Sequence, residues 1–269
     1  MTTPKIKVGI IGCGAIGTGL AILIQKKFRA FISLRYLCDH HLPKALELKK
    51  RLGLRARVVS LTELIRRSDF IFEAASAEIS GSVAKKVLQL GKTALVMSVG
   101  GLLREKNLAR YAAEGRLIIP SGAIAGVDGL LAGREGVLRK VRLITRKPRL
   151  VLENAPYFKG KKFPSIAKRP VCLFRGSAAR AVSGFPQNIN VAAVLSLAGL
   201  GAVKTEVEIW TAHDSQINEH EILLEGDFGR IRVICENIPS PENPKTSRLA
   251  ILSAAAALRK YLSSVRIGT

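Results

Sequence analysis

A chain of 269 residues, 48 % of them apolar, can bury one large core or two modest ones. Its 43 Lys and Arg against 20 Asp and Glu give a formal charge of +23, which bears on anionic partners rather than on fold. No apolar run is long enough to span a bilayer, no signal-peptide pattern opens the chain, and Cys13, Cys38, Cys172 and Cys235 lack metal-type spacing. The expectation is a cytoplasmic protein with reduced thiols, no metal site and no membrane contact.

In chain order, Val8, Ile10 and Ile11 lie in a short β-branched run that predicts a strand buried on both faces. The run breaks at Gly12-Cys13-Gly14-Ala15-Ile16-Gly17 and passes into a helical pattern through Leu20, Leu23 and Ile24. That is G-x-G-x-x-G between strand and helix, the setting in which it binds a dinucleotide. Gly12 permits the turn, Gly14 leaves room for a pyrophosphate, Gly17 lets the helix lie close, and the helix N-terminus attracts phosphate. A second strand, Phe31–Cys38, ends at Asp39, placed to accept hydrogen bonds from the ribose hydroxyls and to repel a 2′-phosphate. The expected cofactor is therefore NAD, with NADP the alternative. His40 and His41 read as an exposed turn.

A helix over Pro43–Leu52 and a strand at Ala56–Val59 follow; Ser60 and Glu63 are spaced as a capping box for a helix over Leu61–Arg67. The strand Asp69–Glu73 runs into the small residues Ala74, Ala75 and Ser76, beside which a nicotinamide nucleotide could lie. A helix over Val83–Leu90, a strand Thr93–Ser98, a Gly100-Gly101 turn, a helix Leu108–Ala113 and a strand Arg116–Ile119 complete an alternation that predicts a doubly wound, Rossmann-type parallel sheet. After Pro120 the texture changes. The small-residue loop Ser121–Gly126 leads to a helix and then to strands at Lys140–Thr145, Val171–Arg175 and Lys204–Thr211. A hairpin follows, Glu221–Gly226 with Arg230–Glu236, turning at Asp227-Phe228-Gly229. With the apolar helix Asn188–Ala198 this reads as a second, α+β domain with an open mixed sheet. The last helix, Thr246–Leu262, is capped by Thr246 or Ser247. The expected division is 1–120 for the dinucleotide, joined by the C-terminal helix 245–269, and 121–244 for substrate.

The positive charge raises nucleic acid as a partner. Yet the basic residues are spread along the chain, and the densest group, around Lys159–Arg169, carries no recognised RNA-binding signature. The basic loop 157–170 reads as solvated, and the positive field suits an anionic dinucleotide and an anionic substrate equally.

Four stretches of the second half can carry chemistry: Ser121–Gly126, Phe185–Asn190, Asn218–Ile222 and Asn243–Ser247. His220 stands among Asn218, Glu219 and Glu221 on a strand edge and, with a reference pKa near neutrality, suits acid–base work. His213 competes with it. Lys245, Thr246 and Ser247 at a helix start combine a cation, hydroxyls and N–H groups, as a carboxylate site requires, although simple capping explains them too. Asn188 and Asn190 could hold the nicotinamide amide or ribose, or merely cap their helix.

PSGAIAGVDG (120–129), FPQNINVAAVLSLAG (185–199), NEHEI (218–222) and NIPSPENPKTS (237–247) together resemble the L-aspartate dehydrogenase family in order and spacing over essentially the whole chain. The resemblance implies NAD(P)-dependent oxidation of L-aspartate to iminosuccinate, which hydrolyses to oxaloacetate and ammonia or feeds NAD biosynthesis. It also implies a homodimer and a second domain similar to that of dihydrodipicolinate reductase. It assigns the catalytic histidine to His220 and cofactor contacts to Gly122, Ala123, Ile124 and Ala125 and to Asn188 or Asn190; the residues' own chemistry makes Asn218, Lys245, Thr246 and Ser247 the expected substrate contacts. Ala125 stands where glycine is frequent in the family, and the insertion Tyr157–Lys168 is longer than its pattern. Two other readings stand beside this one: another imine or amino-acid reductase on the same scaffold, and a non-catalytic dinucleotide sensor.

Overall fold

The computed structural model describes all residues except 1–3, 106, 166–168, 187–189, 213–217, 241–242, 266 and 269, and for 243–245 the backbone alone. The chain divides into two compact units, Met1–Pro120 with Ile251–Val265 and Ser121–Ala250 with Arg266–Thr269.

In the first unit, strands β1 (Ile6–Ile11), β2 (Ile32–Cys38), β3 (Arg57–Val58), β4 (Phe70–Glu73), β5 (Thr93–Val96) and β6 (Arg116–Ile118) form one sheet in the order β3-β2-β1-β4-β5-β6. Every pairing is parallel. Short apolar runs without alternation produce this arrangement: all four residues of β4 and of β5 are buried, as a sheet covered on both faces demands. Strand order reverses between β1 and β4, and in such sheets ligands bind at the carboxyl ends beside that reversal.

The helices largely follow their sequence signals. The Ser60 hydroxyl accepts from the Glu63 amide at 3.3 Å and starts the helix Leu61–Arg67. The helix expected from Val83 begins at Ser80, and the Gly100-Gly101 turn is part of a 3-10 helix, Val99–Arg104. The C-terminal helix, Arg248–Leu262, sets Tyr261 edge-on against Phe70 with ring centroids 5.1 Å apart. Its Ile251 packs on Gly19, where a Cβ would come within 2.8 Å of Ile251 Cγ2, so the glycine admits the helix.

The second unit holds β7 (Leu138–Arg146), β8 (Val171–Ser177), β9 (Glu206–Thr211), β10 (Asn218–Gly226) and β11 (Gly229–Asn237) in the order β11-β10-β7-β9-β8. The sheet is mixed: β7 and β9 run parallel, the other pairs antiparallel. A two-stranded ribbon, β12 (Pro239–Ser240) with β13 (Asn243–Ser247), precedes the last helix. The strand expected from Lys204 starts at Glu206, because Gly201–Lys204 forms a helical turn. The last helix likewise starts at Arg248, and it is Ser247, not Thr246, whose hydroxyl accepts from Leu249 N at 3.2 Å.

Alternation is clean here. Val141, Leu143 and Thr145 of β7, Val207, Ile209 and Thr211 of β9, and Ile222 and Leu224 of β10 are buried on one face. The residue after the helix Asn190–Ala198, Gly199, lies against Val141 on that face. The opposite face carries ion pairs, Arg142 with Glu206, Arg146 with Glu219 and Glu221, and Arg232 with Glu221. Within the basic loop, Tyr157 stacks on Phe185 at 5.0 Å and meets Phe174 edge-on at 5.7 Å. The loop is thus anchored by aromatic packing while Lys159 and Lys161 stay exposed.

Candidate active site

The glycine loop of the first unit separates packing from binding. At Gly12, with φ +91°, a Cβ would collide with the Ala74 carbonyl, and at Gly17 it would collide with Gly12 O. Those two glycines are needed by the chain itself. A Cβ on Gly14 would meet no heavy atom within 4 Å, so no intramolecular contact accounts for glycine there. Close approach of a ligand backbone is what such a glycine permits. Ala15 and Ile16 begin the helix Ala15–Leu23, whose first N–H groups a phosphate would use.

Asp39 sits at the end of β2, and its carboxylate is tied to this loop. Oδ2 accepts from Cys13 N at 2.7 Å and Oδ1 from His41 N at 2.8 Å. Burial and the Asp39 charge push the Cys13 thiol up to about 12, which leaves it a packing residue rather than a nucleophile. Ala75 and Ser76 follow β4, and there Glu73 was not anticipated. This fully buried carboxylate accepts from Ala75 N at 2.9 Å and from Ser98 N at 3.1 Å, clamping the loops after β4 and β5. Burial raises its pKa while those backbone bonds lower it. An acid closing an otherwise apolar strand was the available signal.

In the second unit the buried face of the sheet turns polar at one end. Val141 and Leu143 give way to Thr145 and Lys147, Leu224 and Ile222 to His220 and Asn218, and Ile209 to Thr211. Strand register brings these together: His220 is opposite Thr145 on β7 and Cys235 on β11, and Asn218 is opposite Asn237. His220 is 3 % exposed and Lys147 6 %. His220 Nδ1 lies 2.9 Å from Thr145 Oγ1, and that hydroxyl is 3.3 Å from Glu219 O. A hydroxyl has one hydrogen, so giving it to the carbonyl assigns the ring hydrogen to Nδ1 and leaves the lone pair on Nε2. Burial first, then the Lys147 charge, pushes the His220 pKa down to about 3, away from the neutral ionisation that its residue type suggests.

Asn237 links this end to two predicted stretches. Its Nδ2 donates to Ala123 O at 2.9 Å, and its Oδ1 accepts from Ser247 Oγ at 2.7 Å. Ala125 N donates to Cys235 Sγ at 3.3 Å, and Gly122 takes φ +71°. The Gly122–Ala125 loop is therefore pinned across β11, with Ala123 and Ile124 buried. Of the expected site residues, Ala123, Ala125, Asn218, His220 and Ser247 converge through these contacts. Asn190 opens the helix Asn190–Ala198, and Thr246 lies on β13 rather than in a helical turn. Asn188, His213 and the Lys245 side chain lie outside the described residues. Thr145, Lys147, Cys235 and Asn237 were missed; alternation along β7 and β11, continued one residue past the end of β7 for Lys147, was the signal. Among the described residues no group of three or more His, Cys, Asp or Glu could hold a metal ion, and no helix is long and apolar enough to cross a membrane.

Residues 12–117 match the family model described as homoserine dehydrogenase, NAD binding domain, and residues 128–261 match aspartate dehydrogenase, C-terminal. An L-aspartate dehydrogenase of Methanosarcina barkeri is 42 % identical over 98 % of this chain and 100 % of its own length. The chain belongs to the L-aspartate dehydrogenase family. A Bordetella bronchiseptica member, L-aspartate dehydrogenase 3, is 35 % identical over 98 % of both chains. The crystal structure of the Thermotoga maritima aspartate dehydrogenase superposes with a TM-score of 0.73 at 25 % identity, covering 98 % of this chain and 100 % of that one. As a member of this family the chain is an oxidoreductase of nicotinamide-dinucleotide type, with the fingerprint loop in its NAD-binding match and His220 in its C-terminal match.

Proposed function

We propose that this protein oxidises L-aspartate to iminosuccinate with NAD, the imine then hydrolysing to oxaloacetate and ammonia or feeding NAD biosynthesis. The observation that carries the reading is His220, buried at the polar end of its sheet with its Nδ1 held by Thr145. Bound at Gly12–Gly17, the dinucleotide supplies the hydride acceptor. The chain's own residues do the rest. Gly14 would admit the pyrophosphate, and the first turn at Ala15 and Ile16 would donate to it. Asp39 would accept from the ribose hydroxyls; Ala75 and Ser76 of the first unit, and Gly122–Ala125 with Asn188 or Asn190 of the second, are the further residues proposed for the cofactor. Asn218, Lys245, Thr246 and Ser247 hold the substrate carboxylates. His220 Nε2 takes the ammonium proton, so that the nitrogen lone pair can form the C=N bond as Cα loses hydride.

Four free cysteines support a reducing, cytoplasmic setting, and the homodimer belongs to the same reading. Light scattering on the purified protein checks the dimer; a single-chain mass at micromolar concentration would contradict it. The function is tested by NADH absorbance on mixing protein, NAD and L-aspartate. Turnover with aspartate, and not with L-homoserine, is expected; dinucleotide binding without turnover would make the protein a sensor instead.

Asp39→Ala should shift cofactor preference toward NADP. A charge-assisted hydrogen bond is worth about 1.5–3 kcal/mol, so kcat/KM for NAD should fall roughly ten- to a hundredfold while that for NADP rises. Comparing both cofactors in mutant and parent reads the ratio. An unchanged ratio would confine Asp39 to holding Cys13 N.

A further inference from the structure

We infer that Asn237 is a positioning residue that ties the Gly122–Ala125 loop to the Ser247 end of β13, so that one side chain sets both the cofactor and the substrate contacts of the second unit. This rests on the reading proposed above, which gives Gly122–Ala125 to the dinucleotide and Ser247 with its neighbours on β13 to the substrate. The primary amide of Asn237 is used in full. Its Nδ2 donates to Ala123 O at 2.9 Å and to Cys235 O at 3.3 Å, and its Oδ1 accepts from Ser247 Oγ at 2.7 Å. Two donors and one acceptor on a short planar group are what these three partners require. A carboxylate of the same shape could not donate to the carbonyls, and an alkyl group would serve none of the three. Asn237, Ala123 and Ser247 are all buried, so a partner lost here leaves a polar group unsatisfied.

The loop lies along one face of β11. Ala125 N donates to Cys235 Sγ at 3.3 Å, and a Cβ on Gly126 would come within 2.8 Å of Val233 Cγ2. In the helix that follows, Val127–Arg134, a Cβ on Gly129 would lie 3.2 Å from Ile231 Cδ1. Asn237, Cys235, Val233 and Ile231 alternate along the strand and so share that face. From Ala125 onward the segment is held by this row. Ala123 is held by the Asn237 amide, next to Gly122, where the backbone takes the left-handed φ of +71°.

On the other side of the amide, Ser247 Oγ also accepts from Leu249 N at 3.2 Å, which fastens Asn237 to the start of the last helix. The junction adjoins the strand that carries the proposed base. Asn237 is opposite Asn218 on β10, and Cys235, which receives bonds from both Asn237 and the loop, is opposite His220. Two segments far apart in sequence thus meet on one buried amide, and a change at Ser247 is transmitted to Ala123 through it.

The test reads the cofactor side after a change on the substrate side. Ser247→Ala removes the hydroxyl that Asn237 Oδ1 accepts from, within the segment proposed for substrate. NADH affinity, measured by fluorescence titration without aspartate, should nevertheless fall roughly five- to tenfold. Asn237→Ala should lose at least as much. The double variant Asn237→Ala/Ser247→Ala should lose no more than Asn237→Ala alone, because both changes break one connection. Hydrogen exchange reads the same connection with no ligand present. The Ala125 amide should exchange roughly five- to tenfold faster in each single variant, while the amides of β7 and β9 keep the parent rates. NADH affinity or Ala125 exchange at the parent value in Ser247→Ala would overturn the inference, as would additive losses in the double variant. Should Asn237→Ala not fold, Ser247→Ala decides alone. A parent that binds no NADH, or oxidises no aspartate, overturns the function proposed above, and exchange at Ala125 still decides the junction.

Discussion

Replacing His220 with alanine is expected to lower kcat for aspartate oxidation by roughly two to four orders of magnitude, the range for losing a general acid–base group. NAD affinity should hardly move, because the dinucleotide fingerprint lies in the other unit. The size of the effect follows from position. His220 is 3 % exposed and its ring is oriented through Nδ1 by Thr145. Truncation also strands the Thr145 hydroxyl and opens a small polar void, which should cost about 1–3 kcal/mol of stability. His220→Asn is the companion variant, keeping a donor near Thr145 but no base; it should be as inactive and more stable. His213→Ala is the control and should retain most activity. Were His213→Ala the dead variant while His220→Ala turned over normally, the chemistry would belong beyond β9.

The second large effect is at Gly14. Gly14→Val should abolish NADH binding, a loss of more than about a hundredfold measured by fluorescence titration, while the far-ultraviolet circular dichroism and melting temperature stay close to the parent. A Cβ there meets nothing within 4 Å, so the fold tolerates the branch and only a ligand would not. Gly17 provides the contrast. A Cβ at that position would strike Gly12 O, so Gly17→Ala should destabilise the protein itself. Unaltered NADH affinity in a folded Gly14→Val protein would remove the loop from the cofactor site.

The parallel sheet was legible because its strands are short, apolar and punctuated by glycine, and because β1 runs straight into its fingerprint. His220 was legible from NEHEI, and the Gly122–Ala125 loop from its run of small residues. Lys147 was not. In sequence it sits in a basic Arg-Lys-Pro triplet indistinguishable from many solvated ones, and only strand alternation continued from Val141 through Thr145 turns it inward. Asn237 was hidden for a related reason, since what it joins, Ala123 O and Ser247 Oγ, is far away in sequence. Glu73 was read as the end of a strand, and its clamp on Ala75 and Ser98 depends on which strands become neighbours. The lysines Lys159 and Lys161 of the basic loop are exposed, as its charge suggested; that Tyr157 and Phe158 tie the loop to Phe174 and Phe185 was not legible.

The most direct measurement follows the hydrogen itself. L-Aspartate deuterated at Cα is incubated with the protein and NAD, and the reduced dinucleotide is examined by proton NMR at C4 of the nicotinamide. Stereospecific deuterium at C4 is expected, at one atom per oxaloacetate formed, with none transferred by His220→Ala on the same time scale. Reduction of NAD without deuterium, or exchange of the Cα hydrogen with solvent without any reduction, would contradict hydride transfer from aspartate and with it the function assigned to this chain.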